Sequence, residues 1–456
     1  MDKAQAMAFL APQAQSFPKA FSEPCGFRNQ SKPVGLRGTK RLGVSMRKKC
    51  NSSSKVLQEQ KRFLDGLEAK GIRLGLGRME KFLASVGNPE KRFRGVHVAG
   101  SKGKGSTAAM AESILRKAGY NAGLYTSPHL VRFNERVRVN GTEISDRRLV
   151  ALVSKLRREM EKSGIGLTYF EFVTALAFRH FADSGVDFAV VETGMGGRLD
   201  ATNVLLPMVS VITNIEKEHA LYLGNTLQKI AVEKAGIIKS GVPVVTAERK
   251  KGIIGIFKKE CAKKNSALHL VKAPFKGKLA LLGGFQRWNA ALAVAAVVEL
   301  QKQGIKVGKK AIGEGLASVN WPGRFEIMQQ NPAVVLDCCH TPNSALALAS
   351  AFREIFPGKK AVLVLGASSD KDIRGIIAAL YPIAGFAIAT GAKTRAMPAG
   401  KIKKEFEKRG IEAIGVPGVK NAVKKGIEVA GKDGIVLIAG SCFVAGEAMV
   451  LWQKRC

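Results

Sequence analysis

Three glycines and two lysines crowd into GSKGKGST, residues 100–107, after the apolar run GVHVA and before the Ala-rich, helix-patterned TAAMAESILRKAG that ends at Gly119. Strand, glycine turn and helix N-terminus together make an anion cradle. Glycines let backbone N–H groups face a phosphate, and the helix dipole favours negative charge there. The turn is expected over residues 100 to 105, with Gly100, Gly103, Lys104, Gly105, Ser106 and Thr107 as the phosphate contacts. Lys104 would reach the terminal phosphates and Ser106 would offer its hydroxyl to Mg²⁺. The string resembles GxxxxGK[ST] without matching it, because Gly105 separates the lysine from the serine; read alone, it also suits a Lys/Gly-rich surface turn.

Two windows further along carry groups that could complete such a site. AVVETGMGGRLDATNV puts Glu192 at the end of a buried strand beside a glycine turn, where open α/β sheets bind ligands. Taken alone, Glu192 could instead be a solvated strand-end acid or a helix-capping partner. VSVITNIEKEHALYLGNTLQKIAVEKAGIIKSG then runs from strand to loop to helix, with His219 in the loop and Lys234 on the helix.

The elements that must position these groups follow from the pattern of the chain. From about residue 56, helical periods alternate with the short apolar runs GVHVAG, NAGLYTS, FAVVETG, MVSVITN, VPVVTA, AVVLDCC, KAVLVLGA, FAIATGA and GIVLIAG. Buried strands alternating with helices indicate mostly parallel α/β sheets covered on both faces. The Pro-Gly break in NWPGRFE restarts the pattern, so residues 56–322 are expected as one α/β domain and 323–456 as a smaller Rossmann-like one. Residues 1–55 hold eleven Lys or Arg against Asp2 and Glu23, with no helical or strand period, and are expected to form a disordered basic tail. An organelle transit peptide is the second reading of that tail.

Composition sets the outer bounds. A chain of 456 residues with 46% hydrophobic residues can bury large cores, and its longest apolar runs fall short of a membrane span. Seven cysteines at irregular spacing fit neither a disulfide framework nor a zinc set, which points to a reducing cytoplasm. The net charge of +37 would attract polyanions, but the basic residues are scattered and few aromatics lie among them. Nucleic acid is therefore not the expected partner.

Taken together, VAGSKGKGST, YTSPHLVRFNERVRVNG, ETGMGGRLDATNV, EKAGIIKSGVPVV, QRWNAALA and WPGRFE resemble the bifunctional dihydrofolate synthase and folylpolyglutamate synthase family of the Mur ligase superfamily, over residues 60 to 450 and in order. The resemblance implies a P-loop-containing Mur-ligase-like domain followed by the C-terminal domain. It also implies a reaction in which ATP phosphorylates a pterin-linked carboxylate and L-glutamate attacks the acyl phosphate. The chemistry calls for charge neutralisation more than for a protein nucleophile. By similarity, Lys104, His219, Lys234 and Arg324 carry catalysis. Ser106 and Glu192 hold one Mg²⁺, and His219 and Lys234 serve a second, the lysine being carbamylated in relatives. If it stays unmodified, Lys234 would repel the ion. A monovalent cation is a further expected cofactor.

Asn289, Arg324, Asp337 and His340 match the family's strings at the adenine end, and Ser441 in AGSCFVAGE matches a string near the glutamate site. Arg324 alone could be a structural ion pair, and Asp337 a cap. Ser127 and Pro128 of SPHL are expected substrate contacts, and Thr168 and Phe170 of LTYFEF with Asp200 of RLDATN are the expected pterin contacts, with core packing as the other reading of Phe170. The partners implied are small molecules acting on a monomer. Departures from the family pattern are Lys102 for Asn, Glu218 for Asp, Phe285 for His, Cys338 and Cys339 for a Gly-Ala pair, and Thr341 for Asn. The alternatives are a Mur-type ligase acting on another acid and a P-loop ATPase that binds RNA through its basic surface.

Overall fold

The computed structural model describes residues 58–60, 62–69 and 71–453; the expected tail, residues 1–55, lies outside them. Two sheets organise the described chain. The first contains β1 (Arg94–Ala99), β2 (Ala122–Tyr125), β3 (Val137–Val139), β4 (Thr142–Glu143), β5 (Phe188–Glu192), β6 (Val209–Ile212), β7 (Val244–Thr246) and β8 (Leu268–Leu270), in the order β4-β3-β2-β5-β1-β6-β7-β8. Its six strands from β2 to β8 pair in parallel, while β3 and β4 are antiparallel additions at one side.

The central strands are apolar on both faces, and each face meets helices. Val190 and Phe188 of β5 join the core with Met110 and Ile114 of helix Lys104–Lys117 and with Ala293 and Val297 of helix Gly284–Lys302. Ala189 and Val191, one residue out of phase, pack instead with Leu152 and Leu156 of helix Asp146–Ser163 and Phe172 and Leu176 of helix Tyr169–Asp183. A strand buried on both faces must be continuously apolar, which is why these runs are readable in the sequence.

The second sheet contains β9 (Glu326–Gln330), β10 (Ala333–Leu336), β11 (Ala361–Leu365), β12 (Ala384–Ala389), β13 (Ala413–Gly415) and β14 (Ile435–Ala439), in the order β13-β12-β11-β14-β10-β9. All its pairs are parallel except β9 with β10. Leu363, Leu365, Leu437 and Ala387 face one core, and Val364, Ile388, Val436 and Ile438 face the other. The α/β class and the mostly parallel sheets expected from the sequence are present in both.

Two details position the site. In the first sheet β1 lies between β5 and β6, so the chain order reverses at β1 and opens a crevice beyond its carboxyl end. Register sets Val98 beside Glu192 and Ala99 beside Ile212, bringing the residues that follow these strands together. Among the described residues, no helix is long and apolar enough to cross a membrane.

Candidate active site

The glycine turn is shorter than expected. It covers residues 100–103, and the helix already begins at Lys104, because Gly103 at φ 80° is the last residue outside it and its carbonyl accepts the Thr107 N–H at 2.9 Å. Lys104 and Gly105 therefore stand in the first helical turn, not in the loop. Gly103 cannot carry a side chain here, since a Cβ would fall 2.2 Å from Asn289 Oδ1. The Lys102 carbonyl accepts the Thr213 hydroxyl at 2.6 Å, and its N–H donates to Asn214 Oδ1 at 2.9 Å. The loop is thus clamped by the residues after β6.

Cationic and acidic groups converge around this loop. Lys104 Nζ and Lys234 Nζ both donate to the Gly100 carbonyl, at 3.0 and 2.9 Å. Lys234, only 1% exposed, also donates to Glu218 Oε1 at 2.6 Å. Glu192 is buried; its Oε2 accepts the Ser127 N–H at 3.1 Å and would sit 3.4 Å from a Cβ on Gly105, beside Ser106. Burial raises the Glu192 pKa above the ordinary carboxylate value, an effect opposed by Lys104, the Ser127 N–H, Arg324 and Arg136. Arg324, from the segment leading into the second sheet, thereby acts on a carboxylate of the first. Burial alone would lower the Arg324 pKa, but Cys338, Cys442, Asp337 and Glu192 outweigh it and raise the value.

Several buried polar atoms by the loop lack a hydrogen-bond partner among the described residues. They include Thr107 Oγ1, Gln286 Nε2 and Trp321 Nε1. The Trp321 ring borders Gly105, its Nε1 3.3 Å from where a Cβ would be, and Gln286 Oε1 accepts from Asn289 Nδ2 at 2.8 Å. Unpaired buried donors cost free energy unless a ligand satisfies them, so a polyoxyanion with a polar base suits this crevice.

The expected metal ligands divide in two. Ser106 and Glu192 fit a divalent ion: both are oxygen donors, and among the described residues neither Ser106 Oγ nor Glu192 Oε1 is engaged in a hydrogen bond. His219 is exposed at φ 46° in the loop before helix Ala220–Leu223, within electrostatic reach of Glu218, Lys104 and Lys234. As an ammonium, Lys234 is a donor to Glu218 and Gly100 and offers no lone pair; only a carbamate would give it a ligand oxygen. Burial lowers its pKa to about 8, against the raising effect of Glu218, which enlarges the share of neutral amine that carbamylation requires. Among the described residues, no three His, Cys, Asp or Glu side chains cluster as a ready metal set.

Other expected residues are occupied with local structure. Asp200 accepts from Met195 N–H, Thr202 N–H and the Thr202 hydroxyl, shaping the turn after β5. Thr168 caps helix Tyr169–Asp183 in a reciprocal pair with Glu171, which is itself bridged to Arg78. Ser441 caps helix Cys442–Met449 through the Phe443 N–H. Asp337 uses both oxygens on backbone, accepting from Phe325 N–H at 2.9 Å and Cys339 N–H at 2.7 Å. Phe170 packs against the core and the turn after β5: a Cβ on Gly194 would meet its ring at 2.5 Å, and its centroid lies 6.1 Å from that of Tyr125. Pro128 follows Ser127, whose N–H is the one held by Glu192. His340 Nδ1 donates to the Cys338 carbonyl at 2.9 Å, and its Nε2 faces Lys102 Nζ at 3.4 Å.

Three groups at the site were not among the expected site residues. Glu218 sits next to His219 in sequence and was visible only as a departure. Arg136 lies in the SPHL segment, donates to His129 Nδ1 at 2.8 Å and stands over the Tyr169 ring, 5.6 Å from its centroid. Trp321 opens WPGR, and nothing in its sequence position distinguishes it from a core aromatic.

Comparison with known proteins places these features. Residues 98–272 match the Mur ligase middle domain and residues 323–442 the Mur ligase glutamate ligase domain. A dihydrofolate synthase/folylpolyglutamate synthase of Bacillus subtilis is 38% identical over 358 residues, covering 72% of this chain and 83% of the relative. The Escherichia coli structure in complex with DHPP and ADP has 31% identity and a TM-score of 0.79, covering 87% of this chain and 97% of that one. A Yersinia pestis bifunctional folylpolyglutamate synthase/dihydrofolate synthase complexed with AMPPNP and Mn ion has 29% identity and a TM-score of 0.76, covering 87% and 97%. These matches lend no support to the RNA-binding ATPase weighed above. The chain belongs to the dihydrofolate synthase/folylpolyglutamate synthase family of Mur ligases, enzymes that use ATP to join L-glutamate to dihydropteroate or reduced folates.

Proposed function

We propose that this chain forms its amide at the crevice beyond β1, β5 and β6, with residues 56–322 binding ATP and the acceptor acid and residues 323–456 closing over them. The observation that carries the reading is the convergence of Lys104 and Lys234 on the Gly100 carbonyl, with the buried Glu192 beside Gly105 in the field of both Lys104 and Arg324. Relatives crystallised with ADP, AMPPNP, DHPP and Mn support it.

In this reading the triphosphate lies along residues 100–107, held by backbone N–H groups and the Lys104 ammonium. Ser106 and Glu192 would hold a divalent ion, which supplies charge neutralisation on the phosphate oxygens when bound. An oxygen of the acceptor carboxylate attacks the γ-phosphorus, the bond to the β,γ-bridging oxygen breaks, and ADP leaves. Lys104 and Arg324 stabilise the charge gathering on the transferred group and on ADP. The L-glutamate nitrogen then attacks the acyl carbon and phosphate departs, the amine giving up a proton as the amide forms. Asn289 and His340 belong to the nucleotide side, and His219, with Lys234 once carbamylated, would serve a second cation. Ser127, Pro128 and Phe170 face the acceptor. Asp200, Thr168, Asp337 and Ser441 act by holding the surrounding turns.

The acceptor is a pterin-linked acid, the chain works as a monomer on small molecules in a cytoplasmic setting, and polynucleotide is not required. The test is a panel of dihydropteroate, tetrahydrofolate and an unrelated acid, each with L-glutamate and Mg-ATP, followed by ADP release and product mass. ADP release that needs both a pterin acid and glutamate, with one glutamyl increment per turnover, supports the assignment. Release driven by polynucleotide, or by the unrelated acid alone, overturns it.

A further inference from the structure

Three lysines surround the glycine loop, but only two of them are satisfied by it. Lys104 and Lys234 both point at the Gly100 carbonyl. Lys102 points the other way, across the crevice, to His340 of the segment between β10 and helix Pro342–Ile355. The chemistry of that contact is defined by the other ring nitrogen. Nδ1 faces the Cys338 carbonyl, which can only accept, so Nδ1 carries the proton and Nε2 presents its lone pair to the ammonium. Among the described residues this 3.4 Å hydrogen bond is the one the Lys102 ammonium makes. A charged group with three donors and one distant, neutral acceptor is poorly satisfied.

The backbone beneath Lys102 is the opposite of loose. Its N–H and C=O are held by Asn214 and Thr213, and Ser101 next to it exchanges hydrogen bonds with the Glu216 backbone. The side chain therefore swings from a rigid base. Its ammonium lies in the field of Glu218, Glu216 and Lys104, on the side of the loop that faces the second sheet. In the ligase reading Lys104 covers the loop side of a bound triphosphate. Lys102 is placed to cover the outer side, where the terminal phosphoryl group must meet the acceptor carboxylate.

We propose that Lys102 is a binding residue for the terminal phosphoryl group, transferring its ammonium from His340 to a γ-phosphate oxygen when ATP binds. The step is an exchange of hydrogen-bond acceptors: the ammonium leaves the imidazole lone pair, which is then free to accept from the nucleotide or solvent, and no proton or covalent bond changes hands. Because the γ-phosphoryl group is present in ATP and absent from ADP, Lys102 distinguishes the two.

This inference rests on the ATP-dependent ligase reading, and its test is separable from it. In the full chain with Mg²⁺ at fixed concentration, affinities for AMPPNP and ADP are measured by calorimetry for the wild type, Lys102→Asn and Lys102→Arg. Loss of one charge-assisted hydrogen bond should weaken AMPPNP about tenfold or more in Lys102→Asn while ADP changes less than about threefold. Lys102→Arg, which keeps the charge, should retain most of the wild-type preference for AMPPNP. Equal weakening of both nucleotides in Lys102→Asn would indicate a merely structural loop residue and overturn the proposal, as would no change in either. Should wild-type ADP release prove independent of acceptor acid and glutamate, the ligase reading fails by itself, whatever the nucleotide preference of Lys102→Asn.

Discussion

Glu192 at the end of β5 and Asp337 just beyond β10 are near-equivalents in their two sheets: each is a buried carboxylate at a parallel strand's carboxyl end, and burial raises the pKa of each. Their oxygens are spent differently. Asp337 gives both to backbone N–H groups, and one of these bonds fixes Phe325 at φ 47°, a left-handed conformation that a bulky residue adopts only when held. Glu192 gives Oε2 to Ser127 beside Gly105, and its other oxygen makes no hydrogen bond among the described residues. The first sheet leaves charge available at its strand ends, whereas the second consumes it in shaping the turns that bring Arg324 and His340 to the crevice. Residue type and strand-end position are thus insufficient to mark chemistry; the unspent hydrogen-bonding capacity marks it.

Substitutions can break or sharpen this contrast. The largest effect is expected on the side with available charge: Lys104→Met should lower kcat on the order of 10²–10³-fold with little change in stability, since among the described residues its ammonium makes one hydrogen bond, to the Gly100 carbonyl. Steady-state kinetics with thermal unfolding checks both halves. Glu192→Gln should lower turnover by about 10²-fold and weaken Mn²⁺ binding while leaving the apo chain as stable as before, or more so. The sign follows from the raised pKa. The folded state favours protonated Glu192, so the stabilisation from this group is present at acid pH and disappears as pH rises through its folded pKa. The stability advantage of Glu192→Gln in urea should accordingly be larger at pH 8 than at pH 5.

On the other side the order reverses. Asp337→Ala leaves two buried N–H groups without their acceptor and should cost about 2–4 kcal/mol of stability in urea unfolding, with turnover lost only as Arg324 shifts. An Asp337→Ala protein of wild-type stability and lost turnover would erase the distinction between the two carboxylates. The smallest effect is expected at Ser441→Ala, about 1 kcal/mol for a lost helix cap, read from the unfolding midpoint with the KM for glutamate essentially unchanged.

The strands that the sequence revealed and those it hid are separated by their place in the sheets. All nine apolar runs became strands: β1, β2, β5, β6, β7, β10, β11, β12 and β14. The five that carry no such signal, β3, β4, β8, β9 and β13, are the outer strands, with sequences such as VRV, TE and EIMQQ. A central strand needs apolar residues on both faces, while an outer one is half solvated and is held largely by backbone pairing that any sequence can make. The same logic shortened the glycine turn. A string of glycines marks a turn, but only Gly103 adopts the left-handed conformation next to the helix, so the helix starts one residue later.

By itself, then, the sequence determined the α/β class, the glycine turn ahead of the helix that carries Lys104 and Ser106, the strand-end position of Glu192, and the family, since these are local patterns of side-chain type and spacing. Only the tertiary structure decided that Asp200, Thr168, Asp337 and Ser441 are committed to turns and caps, that Lys234 shares the Gly100 carbonyl with Lys104, and that Lys102 reaches His340, 238 residues away in sequence. Hydrogen-bond partners are chosen by proximity in three dimensions, and a polar side chain carries no local sign of whether the fold will leave its donors and acceptors engaged or free.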